Sequence, residues 1–72
     1  MNERVYLSIL KNEAELLTVL DVARILRVGK NKAYELINSG TLSSIKINGK
    51  IIVPKMCLVR FLLDEKHYQV HP

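Results

Sequence analysis

The stretch that decides the fold is Leu26–Gly40, LRVGKNKAYELINSG. A Val-Gly pair interrupts an apolar pattern, and Ala33, Leu36 and Ile37 then follow at helical spacing before a glycine. This spacing predicts a short helix over Lys30–Ser39 with the closing glycine as its C-cap. Most other side chains of that helix are polar, and two of them are lysines.

A first short helix is predicted immediately upstream, over Val19–Leu26. Thr18 is followed three residues later by Asp21, which is the spacing of a capping box ahead of an apolar run. Neither helix is long enough to be stable alone. Their apolar faces must therefore pack on each other and on residues further along the chain.

A β-hairpin is predicted next, in SIKINGKIIV, Ser44–Val53. Apolar and polar residues alternate around Asn48 and Gly49, and an Asn-Gly pair in such a pattern is the strongest short-range hairpin signal. A two-residue loop would place Ile47 opposite Lys50 and would mix charged and apolar side chains on both faces.

A three-residue loop is the register that the apolar pattern favours. With Asn48–Lys50 in the loop, Ile47 pairs with Ile51 and Ile45 with Val53, and all four face the core, because side chains alternate with period two. The second or third loop residue would then take a positive φ.

A closing helix is predicted over Pro54–His67, with the proline in its first turn. It carries two apolar stripes, namely Leu58, Phe61 and Leu62 on one side and Met56, Val59 and Leu63 on another. A second element must therefore cover it. The segment Arg4–Leu10 is the candidate, as strand or helix, and a partner chain is the alternative.

The chain of 72 residues is expected to form one domain, 1–72. Its net charge of +4 is unevenly distributed, with −2 over residues 1–23, +5 over residues 24–50 and +1 over residues 51–72. The central excess fits either an ordinary solvated surface or a surface that binds a polyanion.

Several classes of function find no support. A single cysteine, Cys57, excludes an internal disulfide, is expected to be a small core residue, and fits a cytoplasmic location. The apolar runs are too short to span a bilayer. His67 and His71 are expected in a frayed tail rather than a metal site. No catalytic motif is present, so we expect no enzyme, metal or cofactor.

The order of these elements resembles the winged helix-turn-helix of the excisionase family, which is related to the DNA-binding part of MerR-like regulators. The resemblance covers LLTVLDVARILRVGKNKAYELINSGTLSSIKINGKIIVPKMCLVRFL, Leu16–Leu62. It implies an α+β, mostly helical fold: a winged helix-turn-helix module over 16–62 with a two-stranded hairpin wing and a closing C-terminal helix. Residues 64–72 lie outside that module and are polar, so we expect them to form a mobile tail.

The resemblance also implies which residues contact double-stranded DNA. The second helix would enter the major groove N-terminus first. Base edges would meet Asn31, Glu35 and Asn38, which lie opposite the apolar face of that helix. Lys30 and Lys32 would meet phosphates. The expected set also includes Arg27 in the turn and Tyr34 beside the outer face. The wing would contact the minor groove or its phosphates through Lys46, Asn48, Gly49 and Lys50.

The function implied is that of an excisionase of a mobile element or phage, which bends DNA and assists a tyrosine recombinase in excision. Useful specificity would require several copies on adjacent sites or a larger DNA-binding partner, since one recognition helix reads few bases. The tail DEKHYQVHP is expected to contact the recombinase. Two alternatives stay open: a small winged helix-turn-helix transcriptional regulator, and a protein-interaction module without DNA affinity.

Overall fold

The computed structural model describes residues 3–64, which form four helices and a three-stranded antiparallel sheet. In chain order the elements are α1 Glu3–Ile9, β1 Leu16–Leu17, α2 Val19–Leu26, α3 Lys30–Asn38, β2 Ile45–Ile47, β3 Lys50–Pro54 and α4 Lys55–Leu63. The strand order is β1-β3-β2. This α+β arrangement confirms the winged helix-turn-helix. The histidines and most of the tail assigned to 64–72 lie outside the described residues.

Helix α2 begins at the capping box that the sequence predicts. The Asp21 N–H donates to the Thr18 hydroxyl oxygen at 3.1 Å, and the Thr18 N–H donates to an Asp21 carboxylate oxygen at 3.0 Å. The hydrogen bond from the Thr18 backbone holds the pKa of Asp21 below its usual value. The backbone N–H groups of Thr18 and Asp21 thus both have acceptors at the start of the helix.

The core lies between the two central helices, the sheet and α4. Ala33 of α3 is fully buried and lies against α2, where Val22 and Ala23 are also buried. Val53 of β3 and Leu58 of α4 are fully buried on the opposite side. The small side chain of Ala33 lets the axes of α2 and α3 approach, so this position fixes the geometry of the helix pair.

Helix α1 answers the question that the sequence left open about Arg4–Leu10. The segment is helical, and it packs against α4. Tyr6 and Leu7 contact the core cluster, and Leu10 is buried in it. Helix α1 therefore covers part of α4 within the chain.

Helix α4 differs slightly from its predicted bounds. Pro54 is the last residue of β3 and precedes the helix as its N-cap, rather than lying in the first turn. The fixed φ of proline, −58° here, suits both roles. Asp64 already has an extended backbone, with φ −76° and ψ 110°, so the helix ends well before the predicted His67.

The predicted hairpin register is wrong. Ile47 pairs with Lys50, Lys46 with Ile51 and Ile45 with Ile52, which leaves a two-residue loop. Both loop residues take positive φ, as a type I′ turn requires, and the twist of that turn matches the right-handed twist of the strands. Lys50, a candidate for positive φ in the predicted loop, is in β3 instead.

The burial pattern explains why the apolar alternation misled the prediction. Ile45 and Ile47 are 45% and 47% exposed and lie on the outer face of the sheet, whereas Val53 is buried on the inner face. β2 is an edge strand with all three residues exposed. The hairpin therefore does not bury the apolar side chains of both its strands on one face.

Lys55 stabilises the fold in a way that the sequence pattern did not reveal. It is only 6% exposed, and its ammonium group donates to the carbonyl oxygens of Leu10 at 3.4 Å and Glu13 at 3.2 Å. A carboxylate oxygen of Glu15 lies 3.3 Å from the same nitrogen. One buried cation thus ties the turn after α1 to the start of α4.

Replacing Lys55 with Met is expected to lower the free energy of unfolding by about 2 kcal/mol, because it leaves two carbonyl groups without their donor while keeping the volume of the stem. Urea denaturation followed by circular dichroism measures the change. Lys11→Met is the control, since Lys11 is exposed in the same turn. Equal stability of the two variants would contradict the role assigned to Lys55.

Candidate nucleic-acid interface

Helix α3 presents two distinct faces. Ala33 and Ile37 are buried against the core, whereas Asn31, Glu35 and Asn38 are exposed on the opposite side. The predicted division of this helix into an inner and an outer face is confirmed. The outer face carries amide and carboxylate groups, which can donate to or accept from base edges.

The first turn of α3 concentrates positive charge. It contains Lys30 and Lys32 and no acidic residue. Its N-cap is Gly29, which has no side chain to accept a hydrogen bond from the first-turn N–H groups. Cations at a helix N-terminus oppose the helix dipole and cost stability. The first-turn N–H groups of α3 and the two exposed lysines lie at the same end of the helix. An anionic ligand bound there would offset the unfavourable interaction between the lysines and the helix dipole.

Lys32 and Glu35 form an exposed ion pair, with the ammonium nitrogen 3.3 Å from a carboxylate oxygen. Their side chains are 54% and 69% exposed. Such surface pairs contribute little, so either side chain can turn toward a ligand at small cost. The pair also offsets the only negative charge on the outer face of α3.

Arg27 lies in the turn between α2 and α3 and adopts the left-handed conformation, with φ 57° and ψ 44°. A non-glycine residue is strained there, because its Cβ approaches the following carbonyl. Its N–H caps α2 by donating to the carbonyl oxygen of Arg24. Its own side chain is exposed beside the start of α3.

The wing is the β2–β3 hairpin, whose tip is formed by Asn48 and Gly49 with φ of 51° and 79°. Lys50 begins β3 directly after the tip. Lys46 is opposite Ile51 and shares its face of the hairpin. All four wing residues predicted to contact DNA are exposed. The tip is narrow, since Gly49 has no side chain and open space around its Cα.

The wing and α3 border one groove of about 390 Å³. Tyr34 enters it from α3, and Gly49 and Lys50 enter it from the wing. The fold therefore brings one predicted residue of the second helix, Tyr34, to the same groove as two predicted residues of the hairpin, Gly49 and Lys50. Tyr34 is 39% exposed, so its ring forms part of the wall.

Arg24 does not contribute to the basic surface, because its guanidinium is paired with carboxylates of the same chain. Its guanidinium donates to both carboxylate oxygens of Glu13, at 3.1 and 2.8 Å, and lies 3.6 Å from Asp21. The hydrogen bond from Arg24 lowers the pKa of Glu13, and the same contact raises the pKa of the guanidinium. Five of the six basic residues between 24 and 50 remain for a ligand.

The remaining basic side chains are Arg27, Lys30, Lys32, Lys46 and Lys50. Apart from the Lys32–Glu35 pair, none of them has an ion pair to another residue within 3–64. The acidic residues of the N-terminal third instead neutralise Arg24 and Lys55. The surface formed by α3 and the wing thus keeps its positive charge.

Other kinds of site are absent from the described part of the chain. Over residues 3–64 no cluster of three or more His, Cys, Asp or Glu side chains has a geometry that suits a metal ion. Within the same range no helix has the length and apolarity to cross a membrane. Cys57 is half-buried against the core, as the sequence predicts.

Comparison with known proteins agrees with this geometry. The helix-turn-helix domain model HTH_17 matches residues 16–66. A curated protein described as an excisionase, from Streptomyces ambofaciens, is 45% identical over 51 residues, which are 71% of this chain and 82% of that relative. No solved structure gives a significant match.

Proposed function

The chain belongs to the excisionase family of helix-turn-helix proteins, and on that premise we propose that it is a DNA-binding recombination directionality factor that assists a tyrosine recombinase in excision. The observation that carries the proposal is the shared surface of α3 and the wing. Both elements carry exposed amides and lysines, and Tyr34 of α3 lines one groove together with Gly49 and Lys50 of the wing. The chain acts on DNA by binding and without catalysis of its own.

We assign base reading to the outer face of α3. Asn31 and Asn38 can each pair bidentately with adenine in the major groove, and Glu35 can accept from the amino group of cytosine. Lys30 and Lys32 in the first turn contact phosphates, and Arg27 does so from the preceding turn. The position of these cations at the N-terminus of α3 suits a helix that enters the groove N-terminus first.

The wing contributes a second set of contacts. Asn48 and Gly49 form a narrow tip that enters the minor groove, and Lys46 and Lys50 neutralise the phosphates on either side. A protein that reaches both grooves offsets the cost of bending DNA, about 1 to 6 kcal/mol, with additional phosphate contacts. Bending brings distant recombinase sites together, which is the architectural role that we propose.

Specificity requires more than one copy or partner, because a single recognition helix covers only a few base pairs. We propose cooperative binding of several copies to adjacent sites near the ends of a mobile element or prophage. Residues 64–72 are assigned to the recombinase contact. The site of action would be bacterial cytoplasmic DNA.

Base-reading and phosphate-contacting residues should differ in their effects. Asn31→Ala or Glu35→Ala should reduce the preference for the specific site over random DNA about tenfold, because a lost base contact is worth about 1 to 3 kcal/mol of discrimination. Lys30→Ala should instead weaken binding to both DNAs equally. Fluorescence anisotropy with the two duplexes measures this. Parallel losses in both groups of variants would remove the base-reading assignment.

Deletion of the gene should abolish excision of the linked element and leave integration largely intact. Purified protein should stimulate excision in vitro only when the recombinase is present. Complementation with the wild-type gene is the control. A deletion strain that excises normally but shows altered promoter activity would replace this proposal with a transcriptional regulator. Absence of DNA affinity would favour a protein-interaction module.

A further inference from the structure

The tip of the wing carries the residue pair in which an asparagine loses its side-chain amide most readily. Asn48 is the one asparagine of the sequence that a glycine follows, and the others precede glutamate, lysine or serine. A glycine at the next position has no side chain to hinder ring closure between its backbone nitrogen and the asparagine carboxamide carbon. Asn48 and Gly49 are both exposed.

The backbone nitrogen of Gly49, which would attack the carboxamide, is accessible. Gly49 lies outside both strands, and its N–H donates to no acceptor within residues 3–64. A Cβ placed on Gly49 would have no neighbouring atom within 4 Å, so the space around the residue is open. Asn31 and Asn38, in contrast, lie within helix α3. The fold therefore leaves the reactive pair exposed at the tip and places these two other asparagines in regular structure.

Ring closure requires rotation about the backbone of Asn48, so the wing has to open locally. β2 is an edge strand, and all three of its residues are exposed. Asn48 has a φ of 51°, in the left-handed region that a non-glycine residue adopts at a cost. Segments with few buried apolar contacts open at a fraction of the free energy of global unfolding. The wing has these features, so it can open while the core stays folded.

The charge around the tip favours the reaction. The attacking nitrogen acts in its deprotonated, anionic form, which a positive potential stabilises. Lys46 precedes Asn48 by two positions, and Lys50 follows Gly49 directly. No acidic residue occurs between Ile45 and Pro54. The same lysines that suit the wing to DNA therefore also promote attack on the Asn48 carboxamide.

We infer that Asn48 is a site of spontaneous deamidation, and that its products lower the DNA affinity of the wing. The Gly49 nitrogen bonds to the carboxamide carbon of Asn48, and the bond from that carbon to the amide nitrogen breaks, which releases ammonia. Water then hydrolyses the cyclic imide. Cleavage of the new bond gives aspartate, and cleavage of the main-chain bond gives isoaspartate. Water is the only co-reactant, and no atom is oxidised or reduced.

The loss of affinity rests on the proposed function. Both products place a carboxylate between Lys46 and Lys50, where it repels the DNA phosphates and competes with them for the two lysines. Isoaspartate also adds a methylene group to the main chain, which the two-residue loop closed by Ile47 and Lys50 cannot absorb in its turn geometry. The tip lies outside the core cluster, so the altered protein keeps its fold.

Bound DNA is expected to protect Asn48. With the tip inside the minor groove, the wing cannot open until the DNA is released, so only the unbound fraction of the protein reacts. The free protein therefore loses its affinity with time, whereas the protein on its site keeps the original asparagine. The lifetime of unbound directionality factor would thus be limited by the chemistry of its own wing.

The first test incubates the wild type at mildly alkaline pH and follows each asparagine by peptide mapping with mass spectrometry. Labelling with an isoaspartyl methyltransferase detects the isoaspartate. Asn48 should convert well before Asn12, which is also exposed in a turn but precedes glutamate. A saturating duplex should slow the conversion of Asn48 about tenfold, because the bound wing cannot open. Conversion of Asn48 no faster than that of Asn12 would overturn the inference.

The second test compares the DNA affinity of each variant before and after the incubation. Asn48→Gly cannot form the imide, and a Gly-Gly pair is compatible with the type I′ turn. Asn12→Gly is the matched control. The wild type and Asn12→Gly should lose affinity about tenfold on incubation, by repulsion of the phosphates, whereas Asn48→Gly should keep the affinity of its fresh sample.

The outcomes separate this inference from the proposed function. Conversion of Asn48 without loss of affinity, or an equal loss in all three proteins, would overturn the effect assigned to the modified tip. Fresh wild type without DNA affinity would refute the proposed function, and the effect on affinity with it. The peptide map would still decide whether Asn48 is the site of deamidation.

Discussion

Replacing Ala33 with Glu should unfold the domain. Ala33 is fully buried where α3 packs against α2, whose buried residues Val22 and Ala23 are apolar, so a glutamate there would force a carboxylate into an apolar contact. An unpaired charge or a neutral acid forced into that contact costs several kcal/mol, which is comparable with the whole stability of a small domain, about 5 kcal/mol. Circular dichroism at 25 °C and the loss of a cooperative thermal transition are the measurements.

Ala14→Glu is the matched control, since Ala14 is exposed between α1 and β1. This variant should unfold cooperatively, close to the wild type, despite the same change in charge and size. A folded Ala33→Glu protein with a similar midpoint would show that the α2–α3 contact tolerates a large polar side chain, and the packing described for the helix pair would be wrong.

The double variant Lys30→Glu, Lys50→Glu should lose DNA affinity about a hundredfold or more, for any sequence. It reverses one cation at the start of α3 and one beside the tip of the wing, so both halves of the surface would repel phosphates. Electrophoretic mobility shift and anisotropy titrations in the same buffer measure the loss.

Arg4→Glu with Lys11→Glu is its control, because both residues are exposed on the α1 side of the molecule and the change in net charge is identical. That variant should lose only the small affinity that a general change in charge removes. Similar losses in the two double variants would mean that net charge, rather than the surface of α3 and the wing, attracts the DNA.

The parts of the fold that could be predicted depend on signals within a few residues of one another. The capping box of Thr18 and Asp21 and the helical spacing around Ala33 each act over one helical turn, and both helices are found where they were expected. The outer face of α3 follows from the same geometry. Asn31, Glu35 and Asn38, to which we propose a base-reading role, are exposed on that face.

The hairpin register shows where local reasoning failed. The prediction assumed that Ile45 and Ile47 face the core, although an edge strand at the wing has nothing to pack against on that side. The conformational preference of Asn48 and Gly49 decides the register instead, through positive φ at both residues. The Asn-Gly pair was therefore a more reliable guide to the register than the alternation of apolar residues.

The interactions that the sequence could not reveal join residues far apart in the chain. Arg24 forms an ion pair with Glu13, which precedes β1 in the chain. One of the six basic residues between positions 24 and 50 is therefore not available to the surface of α3 and the wing. Lys55 donates to backbone carbonyl groups 42 and 45 residues away. Every residue has a backbone carbonyl, so the amino-acid sequence does not show which of them will accept this hydrogen bond. The groove likewise depends on how Leu20, Tyr34 and Lys50 meet in three dimensions.

The salt dependence of DNA affinity tests the central claim most directly, because it counts the phosphates that the surface of α3 and the wing neutralises. With four or five of the five available cations engaged, the logarithm of the association constant should fall against the logarithm of salt concentration with a slope of about −4. The slope of the Lys30→Glu, Lys50→Glu variant should be about −2 or shallower. A wild-type slope near zero would contradict DNA recognition by this surface.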